Sequence, residues 1–223
     1  RDVLGSRGLG DVYKRQEIPY MLLITAVLLV MGMTGNEITF IEGVILWILF
    51  IAYLLYLYFL AKKGNDSGDE QSVKLYPVWK CLLFIVLGGV CVVIGSQLVV
   101  NGATTIARAC GMSERFIGLT IVAFGTSLPE LVTSVSAARK GNAGIAIGNI
   151  VGSNIFNILF VIGTVALICP VPFESRFVID TVVAILCGVL LWGGTIRHKE
   201  LRKPCGVVML LCYAAYFVYL AAM

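Results

Sequence analysis

Charge is scarce in this chain: 13% of its 223 residues are Asp, Glu, Lys or Arg, against roughly 25% in a soluble domain. Such a composition leaves too little polar surface to cover a fold in water. Histidine is nearly absent. The single one, His198, sits between Arg197 and Lys199 in a basic loop, which marks a solvated position rather than a catalytic centre. The seven cysteines include no CxxC and no Cys/His ligand spacing, so neither a zinc site nor a disulfide framework is indicated. Cys81, Cys91, Cys169, Cys187 and Cys212 lie inside or at the edges of apolar runs and read as small buried hydrophobes. HExxH is missing, and no Lys or Arg stands mid-span to serve a serine as base. Intramembrane protease chemistry is thereby excluded, and the chain does not read as an enzyme.

What is present is apolar. Hydrophobic residues make up 59% and the mean hydropathy is +0.93. About 20 consecutive apolar residues cross the hydrocarbon core as a helix, and the chain divides into seven such spans: 18–34, 43–61, 81–107, 116–138, 143 to about 170, 177–196 and 204–223. The fold class is therefore an all-α polytopic membrane protein. Residues 1–16 are charged and glycine-rich and lack the apolar core of a signal peptide. They read either as a non-native segment or as a short cytosolic loop. A polar loop at 62–76 separates 17–61, with two spans, from 77–223, with five.

Short connections make neighbouring spans antiparallel, so the Lys/Arg count of alternate loops reports orientation. One side collects Lys62, Lys63, Lys74, Lys80, Arg139, Lys140, Arg197, Lys199, Arg202 and Lys203; the other has only Arg108, Arg115 and Arg176. This bias places the 62–80 loop in the cytosol, the C-terminus outside, and the protein in the plasma or inner membrane.

The chemistry concentrates between Gly118 and Gly163. Glu130 has 14 uncharged residues before it and eight after it in its span. An acid at that depth costs about 2.5–3.5 kcal/mol even on the lenient insertion scale, and is by default a functional-site candidate. The plainer reading is a structural acid, protonated or paired with a neighbouring helix. Thr126 and Ser127 precede it by four and three residues, which on a continuous helix puts two hydroxyls and the carboxylate on one face. Pro129 has no N–H to offer the carbonyl of Gly125, four residues back, and so predicts a break. Freed carbonyls inside a membrane need a cavity, water or an ion to satisfy them. Oxygen ligands beside a broken helix suit a hard cation. On the next span Asn149, Ser153 and Asn157 recur every four residues as one polar stripe. Gly144, Gly148 and Gly152 run beside it and read as a packing track for another backbone. Asn154, off the stripe, reads as a helix-to-helix hydrogen-bonding residue.

GTSLPE at 125–130 followed by GNIVGSNIFN at 148–157, on consecutive spans joined by a short basic loop, closely resembles the second alpha-repeat of the cation/calcium exchanger superfamily. The resemblance implies that residues 17–223 correspond to the fourth to tenth helices of a ten-helix exchanger built from two inverted repeats, with the ion-binding motifs at 118–163. It implies Glu130 as a carboxylate shared by calcium and sodium. Thr126 and Ser127 would add hydroxyl or carbonyl oxygens, the Ala123 carbonyl would lie at the edge of the site, and Ser153 and Asn157 would face them. It also implies alternating access, with sodium entry driving calcium out, no bound cofactor beyond the transported ions, and a fragment lacking the first three helices and half of the ligands. Residues 17–61 hold no intramembrane acid flanked by hydroxyls. Asn157 stands where potassium-dependent relatives carry Asp, which suggests no potassium requirement. A proton-coupled calcium exchanger stays open, because Glu130 can carry a proton. A cation channel subunit is disfavoured by the full-length span and its polar partner helix.

Overall fold

The structure is a computed structural model that describes residues 16–65, 77–112, 117–196 and 203–222. Residues 1–15, most of the 62–76 loop and His198 lie outside the described residues. Helix α1 spans Ile18–Gly35, with Pro19 in its first turn, where the missing N–H is harmless. Asn36 ends it in the left-handed region, at φ 55°. Helix α2 spans Phe40–Asn65. Its start is a capping box, in which the Thr39 N–H and hydroxyl donate to Glu42 Oε2 at 2.7 and 2.9 Å. Helix α3, Val78–Ala109, follows Pro77 and closes in a Schellman motif. There Gly111 (φ 77°) donates to Arg108 O and Met112 to Ala107 O.

The next span is not one helix. A π-helical turn at Gly118–Val122 leads into α4, Ala123–Thr126, and Ser127 interrupts before α5, Leu128–Arg139. Helix α6 is Ala143–Phe156, followed by a second π-helical segment, Asn157–Ile162, and by α7, Gly163–Ile168. Helices α8, Ser175–Ile196, and α9, Lys203–Ala222, complete the chain. Two short strands, β1 (Glu37–Ile38) and β2 (Val171–Pro172), pair antiparallel between helices.

Among the described residues, 18–35, 40–62, 78–109, 144–168 and 177–195 are helical stretches long and apolar enough to cross a bilayer. The expected span at 116–138 is divided at Ser127, and the apolar part of α9 is shorter, Pro204–Tyr219. The fold is that of an all-α polytopic membrane protein. Leu82, Phe84, Ile85 and Val86 on α3 are all exposed, an arrangement that is stable where the surrounding solvent is hydrocarbon. The cysteines correct the sequence reading. Cys81, Cys91, Cys110, Cys169 and Cys212 are exposed, and Cys187 and Cys205 only half-buried.

The chain forms two compact units, each discontinuous in sequence. The first contains α1, α2 and 142–214. Its core gathers Ile18, Ile24, Leu46, Val151, Ile155, Leu159 and Phe173. Helix α2 lies against α7 so closely that a Cβ on Gly43 would sit 3.0 Å from the Gly163 carbonyl and 3.2 Å from the Leu167 nitrogen. Trp47 Nε1 donates to Thr164 Oγ1 at 3.2 Å across the same interface. Helix α1 meets α8 at Gly188, where a Cβ would lie 2.6 Å from Leu22 Cδ2. The second unit contains α3, α4, α5 and the end of α9.

Candidate cation site

The second unit carries Ala123, Thr126, Ser127 and Glu130. The break falls two residues before Pro129, at Ser127 (φ −91°, ψ 0°). In an unbroken helix the Ser127 N–H would reach Ala123; here it donates to Phe124 O, three residues back, at 3.1 Å. Beyond the break the Leu131 N–H takes up Ser127 O at 3.0 Å. The expectation of a single face shared by Thr126, Ser127 and Glu130 is corrected by this geometry. Thr126 is the last residue of α4, Ser127 is the turn, and Glu130 stands in the first turn of α5. Glu130 thereby stands at the positive end of α5. Thr126 and Ser127 are exposed and Glu130 half-buried.

The carbonyl that Pro129 deprives of a donor belongs to Gly125. Ser96 Oγ, on α3, donates to it at 2.7 Å. The approach needs glycine, because a Cβ at 125 would stand 1.9 Å from Val100 Cγ2. Sequence reasoning predicted the freed carbonyl but missed its partner. The available signal was a hydroxyl in the polar half of an otherwise apolar span, beside Gln97 and Asn101. Those two side chains are themselves joined, Gln97 Nε2 to Asn101 Oδ1, at 3.3 Å.

The first unit carries Asn149, Ser153 and Asn157. Asn149 and Ser153 lie one turn apart on α6, and Asn157 is the first residue of the π-helical segment. Phe156 and Phe160 flank it and pack with Phe50, their centroids 5.9 and 5.4 Å from that ring. Ser153 Oγ donates to Ile150 O at 3.1 Å, which leaves its oxygen lone pairs for another partner. Asn154, expected to bond between helices, donates to Ile150 O of its own helix at 2.8 Å. The glycine track is also corrected. A Cβ on Gly144 or Gly152 would meet nothing within 4 Å among the described residues, while the close approaches in this unit occur at Gly32, Gly43, Gly163 and Gly188. Both π-helical turns went unanticipated; such turns gather at functional sites, but nothing in residue type marks them here.

No cluster of three His, Cys, Asp or Glu occurs among the described residues.

These features define a membrane protein with a carboxylate beside a broken helix. The profile of the sodium/calcium exchanger protein family matches residues 80–222, and the chain belongs to that family. It is 32% identical to an inner membrane protein of Escherichia coli K12 over 87% of this chain and 63% of that protein. It is 38% identical to a sodium/calcium exchanger of Methanosarcina acetivorans over 63% of this chain and 41% of that protein. A solved structure of the sodium/calcium exchanger from Methanococcus jannaschii superposes with a TM-score of 0.74 at 28% identity, covering 97% of this chain and 74% of that one. The chain spans a little under two thirds of the length of relatives such as the Escherichia coli protein.

Proposed function

We propose that the whole protein is a secondary antiporter that exchanges sodium for calcium by alternating access, without a resident cofactor. The observation that carries this reading is the interruption at Ser127, which stands between a hydroxyl-bearing helix end and the carboxylate of Glu130. Glu130 is the central ligand in this proposal. Thr126, Ser127 and the Ala123 carbonyl are proposed as ligands beside it, and Ser153, Asn157 and Asn149 as further ligands from the following span. Membership of the exchanger family and the sodium/calcium exchange for which the Methanosarcina and Methanococcus relatives are named support it. A carboxylate that carries net charge alternately for one divalent or for several monovalent cations explains how the two ions compete for one site. The remaining ligands come, in this reading, from the first three helices of a first repeat whose last two helices are the spans within 17–61. The 62–80 loop is cytosolic and the C-terminus outside, as the Lys/Arg bias indicates.

The test is calcium-45 uptake into sodium-loaded vesicles containing the protein from the complete gene, with Glu130→Gln as comparison. Uptake that depends on an outward sodium gradient and is lost in Glu130→Gln supports the reading. Uptake driven by a pH gradient and indifferent to sodium moves the protein to proton coupling. No calcium flux under either gradient, from correctly inserted protein, overturns it.

A further inference from the structure

We infer that Ser96 is a positioning residue of the cation site. It acts as a latch that ties α3 to the end of α4 by supplying the donor that Pro129 withholds from Gly125. The inference rests on the exchange reading above for its functional consequence, and on geometry for the latch itself. Two independent features place it. The hydroxyl donates to Gly125 O at 2.7 Å over a separation of 29 residues. The backbone at 125 is bare enough for α3 to approach, with Val100 occupying the space a side chain would need. A carbonyl without a donor in a membrane interior is costly, so a proline break can stand there only if something replaces the lost N–H. Ser96 does this with a side chain from another helix, and the Ser127 N–H also turns toward the same carbonyl. The price is that the position of the α4 end now depends on α3.

That end carries Thr126 and leads directly into Ser127 and Glu130. Without the latch, the last turn of α4 loses one of the contacts that hold it, and ligands on it must be ordered when the cation binds. The expected signature is weaker cation binding with little change in maximal turnover, the pattern of lost preorganisation.

Two readouts on the protein from the complete gene test this. In vesicles, Ser96→Ala raises the half-saturating calcium concentration about three- to tenfold, the factor one net hydrogen bond supplies. In purified protein, amide hydrogen exchange across Phe124–Leu131 is faster in Ser96→Ala than in wild type. Pro129→Ala restores an N–H for Gly125 O, so adding Ser96→Ala to Pro129→Ala has a smaller effect on exchange than Ser96→Ala alone. Unchanged exchange in Ser96→Ala, or an equal effect in both backgrounds, overturns the latch. Faster exchange with an unaltered half-saturating calcium concentration, in protein that transports calcium, overturns the positioning role. Absence of calcium flux in wild type defeats the exchange reading, and with it the consequence for binding, while the exchange data still decide the latch.

Discussion

Ser96 and Gly125 meet at 2.7 Å, hydroxyl to carbonyl, and Val100 one turn along the same helix fills the volume beside that glycine. The pair couples polar satisfaction to close packing: with Val100 in place, α3 comes this near because position 125 has no side chain.

Gly125→Ala is therefore expected to lower stability by about 1–3 kcal/mol, the usual cost of overpacking. Its new methyl would meet Val100 Cγ2 at 1.9 Å. Adding Val100→Ala should recover much of the loss, because the clash is with that side chain and not with backbone. Thermal melting of the single and double variants in detergent checks both statements; an uncompensated double variant would show that the constraint lies elsewhere.

Glycines that look alike in sequence should respond oppositely. Gly43→Ala places its methyl 3.0 Å from the Gly163 carbonyl, where backbone cannot rotate away, and should reduce the melting temperature. Gly144→Ala adds a methyl in open space and replaces a poor helix former, so it should be neutral or raise stability by up to about 1 kcal/mol.

Trp47 offers a spectroscopic reporter for the α2–α7 interface. Its indole N–H donates to Thr164 Oγ1, so Thr164→Val removes the acceptor at nearly constant volume. A loss of about 0.5–1.5 kcal/mol is expected, together with a shift of Trp47 emission. Unaltered emission would mean that the bond is not made in the membrane.

Glu17, just before α1, is 3% exposed, and burial raises its carboxyl from 4.5 to about 7. Burial disfavours the charged form, so the folded state binds the proton more tightly than the unfolded chain does. The stabilisation is complete below about pH 4.5 and is lost as pH rises through about 7. Melting curves from pH 5 to 8 should show falling stability in wild type and a flatter profile in Glu17→Gln. Parallel profiles would assign the pH dependence to other groups.

How far the sequence could be read follows from which features are local. Apolar runs report spans directly. A proline reports its own break, which is why the interruption before Glu130 was expected, though its position at Ser127 was not. The start of α2 at Thr39 and Glu42 went unread, because the uncharged apolar run begins only at Gly43. Pairings between distant segments leave no such mark. Ser96 could be recognised only once α3 was known to lie beside Gly125, and Gly43 only once α2 was seen against α7. Gly144 and Gly152 misled for the same reason: small size permits a close neighbour without providing one. The cysteines misled because an apolar run tells how hydrophobic its surroundings are and not which face of the helix a residue occupies.

The first unit is assembled from two stretches of chain, with α3 to α5 between them. Helices α1 and α2 therefore cannot find α6, α7 and α8 until the ribosome has made everything in between. From Asn65 to Asn142, synthesis at about 5–20 residues per second imposes a wait on the order of ten seconds. During that interval the faces of Leu46 and Phe50 wait for the segment that carries Leu159, their neighbour in the same core. Biogenesis of this protein thus depends on holding an early helical hairpin ready in the bilayer until its later-made partner segment arrives.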